Sequence, residues 1–137
     1  MTDTPTIDPA LFNGVIAYIN VVGANDAVEF YKKAFGAEVL RRMPTEDGRL
    51  MHCHLKIHGG SIMVADAFPE YGYPHQPSHS FTMTIVDEAV DPWWNRAVEA
   101  GCEVTSPLKL EFWGDRYGAM KDPYGVHWAF NEPQKQG

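Results

Sequence analysis

One order of segments occurs twice in this chain, and few folds accept such a duplication. Gly36-Ala37-Glu38-Val39 matches Gly101-Cys102-Glu103-Val104 at an offset of 65 residues. The same offset sets Gly60 on Gly125 and Val64 on Ala129. It therefore spans a helix end and a hairpin turn, as an internal repeat does. In the first copy the β-branched run 15–22, bounded by Gly14 and Gly23, predicts a strand. Ala27, Val28, Tyr31, Ala34 and Phe35 then recur at helical spacing over 25–36, with Asn25 or Asp26 as the starting cap and Gly36 as the stop. Strand-like runs follow at 37–43, 49–57 and 61–65, separated by Glu46-Asp47-Gly48 and His58-Gly59-Gly60. In the second copy a strand at 79–86 precedes Asp91-Pro92, a helix start with proline at the first helical position. Trp94, Ala97, Val98 and Gly101 continue the helical spacing, and strands at 102–108, 115–121 and 126–131 complete the copy. The last two strands meet at Asp122-Pro123-Tyr124-Gly125, with proline second and glycine fourth in the turn.

These segments give an α+β fold of two tandem βαβββ modules whose mixed sheets curl around a cavity. Residues 1–137 form a single domain, with module one at about 13–66, a Pro- and Tyr-rich linker at about 67–78 and module two at about 79–132. The chain is long enough for a real core. Its net charge of −7 comes from mixed acidic and basic residues, without the basic stripe that neutralises phosphates, so nucleic acid is not a partner. No window approaches about eighteen consecutive apolar residues, so no membrane span is expected. The N-terminus lacks a positive, then apolar, leader pattern, so no secretory signal is read and a cytoplasmic location is expected. Cys53 and Cys102 lie in apolar or strand-like runs and read as buried thiols, with a disulfide or metal pair as the alternative.

Strand alternation assigns faces. In 49–57, Met51, Cys53, Leu55 and Ile57 pack against a helix, while Leu50, His52, His54 and Lys56 take the opposite side. Ile16, Tyr18 and Asn20 share the cavity side of the first strand. In the last strand His127, Ala129 and Asn131 face the cavity, and Trp128 and Phe130 pack beneath the second helix. Trp113 and Tyr117 are then the aromatics placed for ligand or subunit contact, with plain core as the bland alternative. At least one of Trp93 and Trp94 is core. Lys56 and Lys121 are solvated strand ends, and Arg116 beside Asp115 is an exposed pair of little energetic worth.

Two stretches carry a resemblance. Ala27-Val28-Glu29-Phe30-Tyr31-Lys32-Lys33-Ala34-Phe35-Gly36-Ala37 resembles the first-helix signature of the vicinal oxygen chelate superfamily, which includes glyoxalase I, the fosfomycin and bleomycin resistance proteins and the extradiol dioxygenases. Trp113-Gly114-Asp115-Arg116-Tyr117-Gly118, followed by Asp122-Pro123 and Gly125, is similar to its PhnB-like branch. The resemblance covers roughly 13–132. It implies a divalent metal held by His, Gln or Glu from the first and last strands of each module. Those positions fall here on Ile16, on Val64, on Phe81 or Thr82 (the register allows either) and on Ala129. None supplies an imidazole or carboxylate, so the usual metal site is expected to be absent and no cofactor is assigned.

Two functions follow. The first is a metal-free binding protein that encloses a small, partly aromatic molecule among Tyr18, His52, His54, Trp113, Tyr117 and His127. Metal-free relatives bind in grooves between two subunits, so the resemblance also implies a homodimer. The second is a lyase, isomerase or dioxygenase with a divalent metal displaced onto His52, His54 and His127. The bland alternative for these imidazoles is hydrogen bonding to water or a carboxylate at a wet rim. Methyl transfer is set aside, because no glycine-rich loop follows a strand to cradle a nucleotide-like cofactor.

Overall fold

The computed structural model describes residues 8–134. Module one runs β1 (Ala17–Val21), α1 (Ala24–Phe35), β2 (Glu38–Pro44), β3 (Leu50–Ile57) and β4 (Gly60–Asp66). Module two repeats it as β5 (Met83–Val86), α2 (Asp91–Ala100), β6 (Glu103–Leu110), β7 (Arg116–Lys121) and β8 (His127–Glu132). Short 3₁₀ turns at Pro9–Phe12 and Pro69–Tyr71 precede and follow module one. The sheets are ordered β1-β4-β3-β2 and β5-β8-β7-β6, each four-stranded and mixed because only β1/β4 and β5/β8 pair in parallel. This is the duplicated α+β architecture that the repeat implies. Among the described residues no helix is long and apolar enough to cross a membrane.

The pairing refines the repeat. Ile57 pairs with Gly60 across a two-residue turn, whereas the β7–β8 turn holds three residues between Asp122 and Val126. Partners of the first strands show the result: Ile19 faces Val64, and Ile85 faces Phe130. Val64 therefore corresponds to Phe130, not to Ala129, whose counterpart is Met63. Val64 is fully buried in the core. The cavity-side position on β4 is Met63, which carries a thioether.

Each helix starts on a carboxylate from the last strand of its own module. Neither Asn25 nor Asp26 caps α1; its cap position is Gly23, without a side-chain bond. Asp66 Oδ1 accepts from the Gly23 and Ala24 N–H groups at 3.1 and 3.0 Å, and Asp66 Oδ2 accepts from Leu50 N–H at 2.7 Å. In α2 the cap position is Val90, so Pro92 sits second in the helix rather than first. Glu132 Oε1 accepts from Val90 N–H at 3.1 Å. A negative oxygen at a helix start meets both the unpaired N–H groups and the positive dipole end. Arg116 joins this cluster. Its guanidinium donates to both Asp91 oxygens at 2.7 and 3.0 Å and to Glu132, so its partners are not Asp115.

One core serves both modules. Ala24, Ala27, Val28, Tyr31, Ala34 and Phe35 form the buried stripe of α1. Trp128 stacks on Phe35 at 4.1 Å and meets Tyr31 at 5.7 Å, so it packs on the first helix, while Phe130 meets Trp94 of α2 at 5.4 Å. The helices are tied where Gly36 takes a left-handed φ of 64° at the end of α1. There Arg96 donates to the carbonyls of Lys33 and Lys32 at 2.7 and 3.2 Å. Deep between the modules Asp122 accepts four bonds: Tyr31 O–H at 2.7 Å, Trp128 Nε1–H at 2.9 Å, Tyr124 N–H at 2.8 Å and Val126 N–H at 3.0 Å. Burial and the neighbouring Asp122 push the Tyr31 hydroxyl well above the ordinary tyrosine range. Both cysteines are buried free thiols, and burial, with Asp122 next, pushes Cys102 up to about 12.

Alternation fails at one place that matters. Met43 pairs with His52 and Pro44 with Leu50, which leaves Met51 as an extra residue in β3. This bulge turns Leu50 into the core at 0% exposure and Met51 outward at 40%, the reverse of strict alternation. In β6 the pairing jumps from Ser106 to Lys109, which accommodates Pro107 on an edge strand.

Asp122→Ala is expected to cost about 3 kcal/mol or more, because it strands buried donors, and Tyr31→Phe about 1–2 kcal/mol. Urea unfolding measures both. A Cβ at Gly118 would lie 2.9 Å from Leu108 Cα and against the Trp94 ring. Gly118→Ala should therefore lower stability by about 1–3 kcal/mol through overpacking.

Candidate functional site

The bulge in β3 and the segment after β4 together build a cleft. Tyr18 and Asn20 project from β1, Met51 from β3, and Ala65 and Asp66 from β4; Phe68, Tyr71 and Tyr73 form the opposite wall, enclosing about 590 Å³. The wall is a folded element, although its composition reads as linker. Phe68 and Tyr73 form a β-bridge, and Phe68 is buried at 5% exposure. The Arg49 guanidinium stacks 4.2 Å from the Phe68 ring centre and also binds Glu70 and Asp47. Such a cation over a ring, held by two carboxylates, orders the wall. Proline and tyrosine density was the sole sequence signal for it.

The six ligand-site residues expected from sequence fall into separate groups. The Tyr18 hydroxyl lies 3.1 Å from His52 Nδ1 and 3.3 Å from the Met51 carbonyl, so these three form one patch beside the cleft. Burial, with Cys53 next, raises the Tyr18 hydroxyl above its ordinary value. Burial also lowers the His52 imidazole, and nearby Arg41 adds to the effect. His54 is 1% exposed, and neither of its ring nitrogens has a partner. Its ring meets Phe12 edge-on at 4.7 Å, and burial, then His52, lowers its pKa. In module two Trp113 meets Tyr117 at 5.6 Å and Phe112 at 5.0 Å, with Trp113 49% exposed. His127 lies apart again: its Nε2 is 2.6 Å from His79 Nδ1.

The positions that hold a metal in the family pattern do not fit one. Ile16 and Ala129 carry no donor, Val64 is core with Met63 in its place, and the register of β5 resolves the remaining position. Ile85 pairs with Phe130 as Ile19 pairs with Val64, so Ile16 corresponds to Thr82. A lone hydroxyl with a thioether is a poor set for a hard or borderline divalent ion. Among the described residues no three His, Cys, Asp or Glu side chains converge on one point. His52, His54 and His127 are thus not assembled as a displaced site, since His127 pairs with His79 instead. At the module boundary His58 binds Asp87 at 2.9 Å and lies tilted against Trp93 at 4.6 Å, a structural use of an imidazole that spacing did not reveal.

Comparison with known proteins agrees with the duplicated fold. The family described as "Glyoxalase/Bleomycin resistance protein/Dioxygenase superfamily" matches residues 12–130. The chain is similar to an uncharacterized protein of Mycobacterium bovis, 36% identical over 138 residues that cover 95% of this chain and 87% of that one. Its fold is similar to that of a Pseudomonas aeruginosa protein, with a TM-score of 0.70 and 22% identity, covering 88% of this chain and 98% of the other. It is also similar in fold to the PhnB protein of Bacillus cereus, with a TM-score of 0.68 and 17% identity, covering 87% and 98%.

The two strand histidines give a pH dependence. Their folded pKa values lie below the ordinary 6.5, so below about pH 6.5 the unfolded chain binds more protons than the folded one. Their contribution is complete above pH 6.5 and is lost as pH falls through the folded values. His54→Leu should raise stability at neutral pH and flatten this acid limb, as measured by urea midpoints across pH 5–8.

Proposed function

This chain belongs to the Glyoxalase/Bleomycin resistance protein/Dioxygenase superfamily, and from that premise we propose that it is a metal-independent binding protein for a small, planar, partly aromatic molecule. The observation that carries the reading is the cleft of about 590 Å³ beside β1. Its size suits a small ligand, for which sites of about 300–1,000 Å³ are usual. Its lining suits one as well. Three tyrosines offer ring faces, and Asn20 and the Tyr18 hydroxyl offer directional polar groups. Tyr71 and Tyr73 are each 67% exposed, so no core packing accounts for them. Stacking of a planar molecule between such rings contributes roughly 0.5–1.5 kcal/mol per ring beyond area burial.

The protein acts as a cytoplasmic homodimer in this reading. Leu110, Phe112 and Trp113 are exposed to 65%, 95% and 49% on one edge of module two, a concentration of apolar surface that a second copy would cover. Light scattering after size-exclusion chromatography should return twice the mass of the 15.4 kDa chain.

A thermal-shift screen of planar antibiotics and aromatic metabolites, followed by calorimetry, tests the ligand reading. A binder should lose about tenfold or more in affinity on combining Tyr71→Ala with Tyr73→Ala, and should bind equally well after chelator treatment or zinc loading. Binding that disappears with chelator, or that ignores both tyrosines, would sink the reading.

A further inference from the structure

His54 is the one buried side chain among the described residues whose polar atoms all lack partners. A neutral imidazole carries one donor and one acceptor, and a buried pair left empty is costly to folding. The neighbours Cys53 and Leu55 enter the core beneath α1, so His54 points to the other side of the sheet. Its cover there is nearly complete, with the residue 1% exposed. Phe12 lies edge-on against the ring, itself 45% exposed, at the end of the four-residue turn Pro9–Phe12. That turn is pinned by buried Leu11, whose carbonyl accepts from Ser61 Oγ at 3.1 Å.

The charged side chains nearest the imidazoles are basic. Arg41 of β2 is the cross-strand partner of His54, and Met63 is its partner on β4. His52 lies two residues along the same strand, with Tyr18 on its Nδ1. Lys56 comes next on this face and has Glu38 opposite. Among the described residues no carboxylate makes an ion pair with Arg41, His52 or His54. After burial, Arg41 disfavours the charged form of His52, and His52 disfavours that of His54.

We propose that His54, with His52 and Arg41, is the anion-recognising end of the ligand site, and that Phe12 occupies it in place of an aromatic carboxylate. This rests on the ligand-binding reading and narrows its chemical class. Phe12 supplies the ring of such a molecule without its carboxylate, which is why the ring is packed and the imidazole is not bonded. A planar aryl acid that displaces the turn would fill the same space, accept from His54 and His52 and meet the guanidinium of Arg41. A carboxylate there also stabilises the protonated imidazoles, so binding takes up protons and tightens as pH falls.

Naphthoate and naphthylmethylamine share a ring system and differ in charge, and calorimetry with both tests the assignment. Naphthoate should bind and the amine should not. Phe12→Ala should tighten naphthoate binding about five- to tenfold by removing the internal competitor. His54→Leu, which should fold at least as well as the parent, should weaken it about tenfold or more, and Arg41→Gln should weaken it too. Affinity should rise from about pH 8 to about pH 6, with net proton uptake in buffers of different ionisation enthalpy. Equal binding of the amine, no gain from Phe12→Ala, or indifference to His54→Leu overturns the assignment, as does failure of Phe12→Ala to bind naphthoate. If naphthoate instead responds only to Tyr71→Ala and Tyr73→Ala, the cleft reading survives and this one falls.

Discussion

A carboxylate buried without a cationic partner holds the two halves of this protein together. Asp122 is 2% exposed, and no cation among the described residues pairs with it. Four neutral donors satisfy it instead. Two are backbone groups of its own turn; the others are the Trp128 indole and the Tyr31 hydroxyl of the opposite module. A charge in a low-dielectric interior needs every such bond, which makes the arrangement sensitive to small displacements. Because Tyr31 lies on α1 and Asp122 closes β7 onto β8, the bond fixes how the first helix sits on the second sheet. The stack of Phe35 on Trp128 lies beside it and depends on the same alignment.

The end of each last strand does a second job in both modules. Asp66 and Glu132 each turn back to cap the helix of their own module. A strand end is thereby locked to a helix start roughly forty residues earlier, beside the parallel pair of first and last strands. The consequence reaches the cleft. Asp66 lines it, but both of its oxygens already accept backbone N–H groups. Its charge is largely committed to backbone donors. The acidic net charge of the whole chain therefore says little about the ligand that this face would select.

Much of the architecture was legible in the residues themselves. Helical spacing of Ala27, Tyr31 and Phe35, the stop at Gly36 and the Asp122–Gly125 turn all appear where local chemistry puts them. The single offset of 65 was nearly right and failed where one turn is longer by a residue, which shifted Val64 off its true counterpart. Strict alternation in β3 failed at Met51, because a bulge depends on the partner strand and not on the strand itself. The aromatic wall after β4 read as linker. Its order comes from Arg49 stacking on Phe68, a contact between residues nineteen apart that no local pattern encodes.

Short-range chemistry in the sequence determined the duplicated βαβββ order, the helix stops and the hairpin turn. These depend on residue type and spacing within a few turns of chain, where steric and hydrogen-bonding preferences act directly. Tertiary structure alone decided which module Trp128 serves, that His127 pairs with His79 rather than with His52 and His54, and that His54 lies sealed and unbonded beneath Phe12. Those outcomes turn on which distant surfaces meet when the core closes, and side-chain burial and pairing exist only once they do.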